Sequence, residues 1–150
     1  MAREHGAESA YDYGTPDWVD RVKEVTGGRG ADVIFDPVGG DVFDLSTRCI
    51  AFGGRLLVIG FASGRIPTIQ ANRVLLKNIS VVGLHWGAYR AYDPALITRT
   101  MDELFALYEK GAIRPVISSR RPLAEAAAAL EELGSRRSVG KVLLVTRREK

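Results

Sequence analysis

The stretch GGRGADVIFDPVGG, residues 27–40, decides the fold that this sequence predicts. Its centre, ADVIF at residues 31–35, is a short and mostly apolar run with β-branched residues. Such a run is typical of a strand that is covered on both faces in a parallel sheet. Glycine pairs at 27–28 and 39–40 bound the run. We therefore expect a buried strand that ends in a turn at Asp-Pro-Val-Gly-Gly.

Predicted strands and helices alternate on both sides of this strand. Upstream, SAYDY (9–13) predicts a short strand, and Thr15-Pro16-Asp17 predicts the N-cap and first turn of a helix over DWVDRVKEV (17–25). Downstream, apolar spacing from Asp41 predicts a helix that Gly53-Gly54 ends. The strand RLLVIG (55–60), the helix ANRVLLKN (71–78) and the strand ISVVGL (79–84) follow. Strands joined by helices form βαβ units, so the sequence predicts an α/β fold with a parallel sheet.

The pattern changes after Trp86. Asp93 and Pro94 predict the start of a long amphipathic helix over ALITRTMDELFALYEK (95–110), which Gly111 ends. The segment IRPVIS (113–118), a helix over LAEAAAALEEL (123–133) and a strand over KVLLV (141–145) complete the chain. We interpret this C-terminal part as a separate structural unit.

The composition is that of a globular protein. Of the 150 residues, 46% are hydrophobic and 26% are charged, and no run approaches the roughly 18 apolar residues of a membrane helix. The N-terminus has no apolar signal region, so we expect a cytoplasmic protein without a membrane partner. Cys49 is the single cysteine, and it shares an apolar stripe with Leu45. We therefore interpret Cys49 as a core residue.

Basic residues provide an alternative interpretation. The net charge is +3, and Lys and Arg gather at 120–121, 136–141 and 147–150. A nucleic-acid-binding α/β domain is consistent with such clusters. No aromatic residues alternate with them and no docking motif is present, so we expect no nucleic-acid partner.

Three predicted strands end in loops that contain glycine, at 36–40, 60–64 and 84–87. The carboxyl ends of parallel strands meet at one edge of a sheet, which is where α/β folds bind ligands. A glycine in any one of these loops is also explained as ordinary turn chemistry. Three such loops at one edge favour a ligand site for a flat molecule.

Two common nucleotide motifs are absent from the sequence. Nothing matches G-x-G-x-x-G between a strand and a helix, because GGRG precedes its strand. The segment 134–142 has one residue too many between its glycines for a P-loop, and Val142 stands where Ser or Thr is required. His5, Cys49 and His85 are too widely separated for a metal motif, so we expect no metal.

A series of segments resembles one known family. GADVIFDPVGGDVFD, RCIAFGGRLLVIGFASGRIP, ANRVLLKNISVVGLHWGAY and GKVLLV, in this order and spacing, resemble the C-terminal half of NADPH:quinone oxidoreductase-like proteins. These proteins form the zinc-independent branch of the medium-chain dehydrogenase/reductase superfamily. The resemblance implies a partial Rossmann domain over 1–86, a doubly wound parallel sheet that lacks the first βαβ unit. It also implies a C-terminal return segment over 87–150 that would pack on an absent catalytic domain.

The resemblance also implies a function. The cofactor would be NADPH, and the reaction would be hydride transfer to a quinone or to an activated alkene such as an enone. The cofactor carries this chemistry, so no catalytic residue is predicted. We expect the chain to be part of a longer enzyme and inactive on its own. The resemblance further implies a homodimer through the strand Ile79 to Leu84, and a non-catalytic dimerisation module is an alternative function.

Cofactor-binding positions follow from the same resemblance. They are Tyr13 and Arg136 near phosphate, Pro37, Val38 and Gly39 under the ribose, and Gly60, Phe61, Ala62, Leu84, His85 and Trp86 around the nicotinamide. Three of these have simpler interpretations. Tyr13 is equally typical of a half-buried strand, Arg136 of a solvated surface, and His85 of a loop without a function.

Overall fold

The computed structural model describes residues 1–135 and 138–146. The chain forms two compact units, Met1–Ala88 and Tyr89–Lys150. The first contains α1 (Trp18–Val25), β1 (Ala31–Asp36), α2 (Gly40–Cys49), β2 (Ile50–Val58), α3 (Ala71–Lys77) and β3 (Ser80–Gly83). The second contains α4 (Tyr89–Tyr92), α5 (Pro94–Glu109), β4 (Ile117–Pro122), α6 (Ala126–Gly134) and β5 (Lys141–Val145). No helix within the described ranges has the length and apolarity that a membrane span needs.

The first unit is built on a parallel sheet in the order β1-β2-β3. Ile34, Leu56 and Val81 lie side by side in its central row. They pack against the helices through Phe43 of α2 and Val74 of α3. The predicted α/β fold with a parallel sheet is confirmed.

A second apolar cluster joins α1 to α2. Trp18 and Val19 at the start of α1 pack with Cys49 at the end of α2, and Ile34 and Leu45 flank them. Cys49 is buried, as its position on the apolar stripe predicts. The two clusters share Ile34, so α1 and α2 are fixed to the same sheet.

The predicted strand over SAYDY is wrong. Residues 9–13 form no strand, because Asp12 organises a turn instead. Its carboxylate accepts the N–H of Gly14 at 2.8 Å, and its carbonyl accepts the Thr15 hydroxyl at 2.8 Å. Such local bonds compete with strand pairing. The N-cap of α1 is Asp17 rather than Thr15, without a side-chain capping bond, and the Asp17 side chain pairs with Arg21 at 2.6 Å.

The boundary between α2 and β2 also differs from the prediction. The helix ends at Cys49, and Ile50 is already extended, so Gly53 and Gly54 lie inside β2 instead of ending the helix. A Cβ on Gly54 would lie 3.1 Å from the Asp32 carbonyl oxygen. Gly54 therefore accompanies a close strand approach at an irregularity in the β1–β2 register, whereas Gly53 adopts a positive φ of 75° next to open space.

In the second unit, α5 and β5 match their predicted elements, α6 begins at Ala126 rather than Leu123, and β4 overlaps the segment IRPVIS only at 117–118. Asp93 caps α5 by accepting the Leu96 N–H at 3.0 Å, and Pro94 occupies the first turn. β4 and β5 form a parallel pair next to α6. Among the described residues of this unit, Ala129 is the only buried hydrophobic residue, while Phe105 and Leu130 are well exposed. The unit thus has little core of its own.

Candidate functional site

The carboxyl ends of β1, β2 and β3 lie side by side. Asp36 is the register partner of Val58, and Val58 is the partner of Gly83. The ladder continues past the strands, since Ile59 donates to the Asp36 carbonyl at 3.0 Å and Leu84 donates to the Val58 carbonyl at 3.0 Å. All three glycine-bearing loops therefore leave the sheet at the same edge.

A cleft of about 640 Å³ opens between the loops that follow β2 and β3. Its lining consists of Val58, Ile59, Gly60, Phe61, Gly83, Leu84 and His85. These residues are mostly apolar, and His85 contributes the one ionisable side chain of this lining. An open and apolar cleft with backbone at its rim suits an apolar ring that carries a few polar substituents.

The loop after β1 is fastened to the loop after β2 by backbone hydrogen bonds. Ala62 donates to the Pro37 carbonyl at 3.1 Å, and Ser63 donates to the Val38 carbonyl at 2.9 Å. A Cβ on Gly39 would lie 2.9 Å from Phe61 Cδ1, so only glycine allows this approach. The 36–40 and 60–64 loops are thus one connected surface beside the cleft.

Arg65 attaches the far end of the second loop to α2. Its Nη2 lies 2.8 Å from Asp41 Oδ1 and 2.5 Å from Asp44 Oδ2, and its carbonyl accepts the Gly40 N–H at 3.1 Å. The carboxylate of Asp44, followed by that of Asp41, raises the pKa of the Arg65 guanidinium above its ordinary value. These groups are well exposed to water, so the ion pairs add little stability and mainly fix the position of the loop.

The structure brings together most of the predicted cofactor residues. Gly60, Phe61, Leu84 and His85 line the cleft. The Pro37, Val38, Gly39 and Ala62 positions form the adjoining pair of loops.

The remaining predicted positions lie elsewhere. Tyr13 lies in a half-exposed turn and is not in the cleft lining, and Trp86 begins a 3₁₀ turn directly after His85. Arg136 lies outside the described residues.

Asp36 is a site residue that the sequence interpretation missed. It is only 3% exposed, and its carboxylate accepts the N–H groups of Val38 at 2.8 Å and Gly39 at 3.0 Å. The signal was present in the sequence as Asp-Pro-x-Gly, since an aspartate often bonds to the backbone of the turn that it begins.

The other candidate chemistries find no support in the described ranges. Within 1–135 and 138–146, no group of three or more His, Cys, Asp or Glu residues is arranged to hold a metal. Burial raises the pKa of the Cys49 thiol, which makes it a poor nucleophile. Arg121, in the first basic cluster, pairs with Glu132 at 2.6 Å and Glu125 at 3.4 Å. These two pairs offset part of its positive charge.

Comparisons with known proteins place this arrangement in a family. A family model described as zinc-binding dehydrogenase matches residues 5–144. A quinone oxidoreductase-like protein 2 homolog of Nematostella vectensis is 41% identical over 148 residues, covering 98% of this chain and 40% of the relative. A quinone oxidoreductase of Pseudomonas aeruginosa is 38% identical over 146 residues, covering 97% and 45%. The solved Escherichia coli quinone oxidoreductase complexed with NADPH matches with a TM-score of 0.86 and 30% identity, covering 97% of this chain and 45% of that chain.

The chain therefore spans less than half the length of these relatives. The match extends over nearly all of the chain, including both units. The predicted resemblance is confirmed, as is the correspondence with the Rossmann-like half of such proteins. The chain belongs to the zinc-binding dehydrogenase family and corresponds to the C-terminal part of a quinone oxidoreductase-like protein of the medium-chain dehydrogenase/reductase superfamily.

Proposed function

We propose that the chain forms the nicotinamide end of an NADPH site in an oxidoreductase that transfers hydride to a quinone or an activated alkene. The observation that carries this proposal is the apolar cleft between the loops after β2 and β3, at the carboxyl edge of the sheet. The E. coli relative, whose fold this chain shares, was solved as a complex with NADPH. NADPH rather than NADH is proposed from that relative alone.

The residues of the cleft fit a nicotinamide ring. A Cβ on Gly60 would lie 3.3 Å from the Pro37 carbonyl oxygen, so glycine lets the two loops approach and leaves the backbone at the rim. In the proposed complex, backbone groups of Gly60, Phe61 and Ala62 bind the carboxamide, and Leu84, His85 and Trp86 complete the pocket.

The rest of the cofactor would lie toward the first loop and beyond it. The Pro37, Val38 and Gly39 turn supports the ribose in this proposal. Tyr13 and Arg136 are proposed nearer to the phosphates.

The chain's contribution to the reaction is placement. The dihydronicotinamide ring supplies the hydride when the cofactor is bound. The apolar lining excludes water and orients the ring toward the substrate, which requires no protein nucleophile. We propose that the reaction needs no zinc and that the protein is cytoplasmic. We also propose that the chain alone is inactive, because the chain spans less than half the length of its relatives and most of the substrate pocket would belong to the rest of a longer protein.

We further propose a homodimer through the strand Ile79 to Leu84. β3 is one of the two edge strands in the order β1-β2-β3, so among the described residues one side of it is open for pairing with a second copy. The second unit, at 87–150 in the sequence interpretation, is proposed to pack on a catalytic domain of the longer protein. The small size of its core among the described residues supports that role.

Titration of NADPH fluorescence tests the cofactor proposal, with labelled DNA titrated in parallel. Gly83 lines the cleft, and a Cβ there meets nothing within 4 Å, so Gly83→Leu fills the cleft without a backbone clash. Gly134→Leu in α6 is the matched control, because a Cβ at Gly134 also meets open space.

We expect saturable NADPH binding that Gly83→Leu weakens by about tenfold and Gly134→Leu leaves unchanged. Saturable DNA binding without NADPH binding would establish the nucleic-acid alternative instead.

A further inference from the structure

Asp36 lies behind the cleft rather than in its lining. It ends β1 and is 3% exposed, and one carboxylate oxygen accepts both the Val38 and the Gly39 N–H. No cation among the described residues pairs with it. The carboxylate therefore acts as an acceptor of backbone hydrogen bonds, and its charge is not used in an ion pair.

These two hydrogen bonds set the direction of the next carbonyl groups. With the turn closed at Asp36, the Pro37 and Val38 carbonyl oxygens point at the second loop and accept the Ala62 and Ser63 N–H groups. One buried oxygen that accepts two N–H groups holds both residues of the turn at once. The conformation of the turn is thus held by its own hydrogen bonds, in addition to its contacts with the second loop.

The same turn is the support against which the second loop packs. Gly39 has φ 69° and ψ −155°, a backbone region that is essentially restricted to glycine. In this conformation Gly39 lies against Phe61. A Cβ added to Gly39 would be only 3.3 Å from Phe61 Cα. A movement of the turn would therefore move Phe61, which lines the cleft.

We propose that Asp36 is a positioning residue for the cofactor cleft, which holds the Pro37–Gly39 turn so that the turn fixes the Gly60–Ser63 loop. The effect of Asp36 on NADPH binding rests on the proposed function. Its mechanical part, the effect of Asp36 on the conformation of the second loop, does not depend on any cofactor.

Amide hydrogen exchange tests the mechanical part in the full chain. In Asp36→Ala we expect the Ala62 and Ser63 amides to exchange faster by about tenfold or more, since the turn loses its acceptor. Asp36→Asn keeps an oxygen of the same reach, so its exchange should stay within about threefold of the native chain. Asp32→Asn, on the exposed part of the same strand, is the control and should change neither amide. The Leu56 amide in β2 reports whether the sheet stays folded.

NADPH titration tests the functional part with the same variants. We expect the Kd for NADPH to rise by about tenfold in Asp36→Ala and to recover in Asp36→Asn. If the native chain does not bind NADPH, the proposed function fails while the exchange result still decides the role of Asp36. Native exchange at Ala62 and Ser63 in a folded Asp36→Ala chain would overturn the inference. If Asp36→Ala does not fold, Asp36→Ser, with its weaker hydroxyl acceptor, decides by the same two amides.

Discussion

Gly39 is the residue where the shape of the site depends most directly on one backbone conformation. A side chain there would be strained at φ 69° and ψ −155° and would meet Phe61 at 2.9 Å. Gly39→Ala should therefore lower the free energy of unfolding by about 1–3 kcal/mol. Gly83→Ala is the matched control on the same edge, and it should change that free energy by less than about 0.5 kcal/mol. Urea denaturation measures both, and equal effects would contradict the strain argument.

Cys49 should make the free energy of unfolding decrease at alkaline pH. Burial raises the pKa of its thiol, so the folded chain retains the proton at a pH where the unfolded chain releases it. Stability is therefore fully present below the unfolded value of about 8.5 and falls as the pH rises through the higher folded value. Between pH 8 and 9.5, Cys49→Ala should remove part of this fall. Identical slopes for the native and variant chains in denaturant titrations would show that the thiol stays accessible to water.

At the scale of elements, Lys77 connects α3 to the end of α2. Its Nζ donates to the carbonyl oxygens of Thr47, Arg48 and Ile50 at 3.1, 3.2 and 3.1 Å. A cation at the C-terminus of a helix interacts favourably with the helix dipole and with unpaired carbonyl groups. Lys77→Met should cost about 1–2 kcal/mol of unfolding free energy.

The control for Lys77 is Lys23→Met in the same unit. The Lys23 ammonium lies 4.0 Å from Asp20 at the surface, and such a pair is worth at most about 1 kcal/mol. Thermal or urea unfolding compares the two variants. A loss for Lys23→Met as large as that for Lys77→Met would argue that the three carbonyl bonds contribute nothing specific.

The start of α5 was predicted well, whereas the N-cap of α1 and the end of α2 were not. Asp93 and Pro94 predicted the start of α5 because a capping carboxylate and a first-turn proline are local properties. The end of α2 was missed because Gly53 and Gly54 indicate a helix stop in sequence, whereas both lie inside β2 and Gly54 allows β1 and β2 to approach. That approach is a contact between two strands, and the local sequence of one strand does not predict it.

The site was predictable where it depends on the general geometry of parallel sheets, and not where it depends on contacts between distant segments. Gly60 and His85 were assigned to one edge because parallel strands place their carboxyl ends together. The bonds from Ala62 and Ser63 to the first loop were not predictable, since they join distant segments. Tyr13 does not lie in a strand, because the local hydrogen bonds of the Asp12 turn replace strand pairing.

At the scale of the whole molecule, the edge of the sheet should control assembly. Val82 lies on β3, an edge strand of the sheet, and is 42% exposed. A lysine on an edge strand opposes pairing with a second copy. If the proposed homodimer forms through this strand, Val82→Lys should convert a sedimenting dimer into a monomer, and Leu130→Lys on α6 should not. A native chain that sediments as a monomer at high concentration would contradict the dimer.

The position at which NADPH binds is the most direct test of the central claim, that loops at one edge of a parallel sheet form a nicotinamide site. A ¹H–¹⁵N correlation spectrum of the full chain, recorded through an NADPH titration, locates the contact residue by residue. We predict saturable shifts of the Gly60, Phe61, Leu84 and His85 amides, with Leu104 and Leu107 in α5 unaffected. Saturable shifts confined to other parts of the chain, or no saturation at all, would contradict the account.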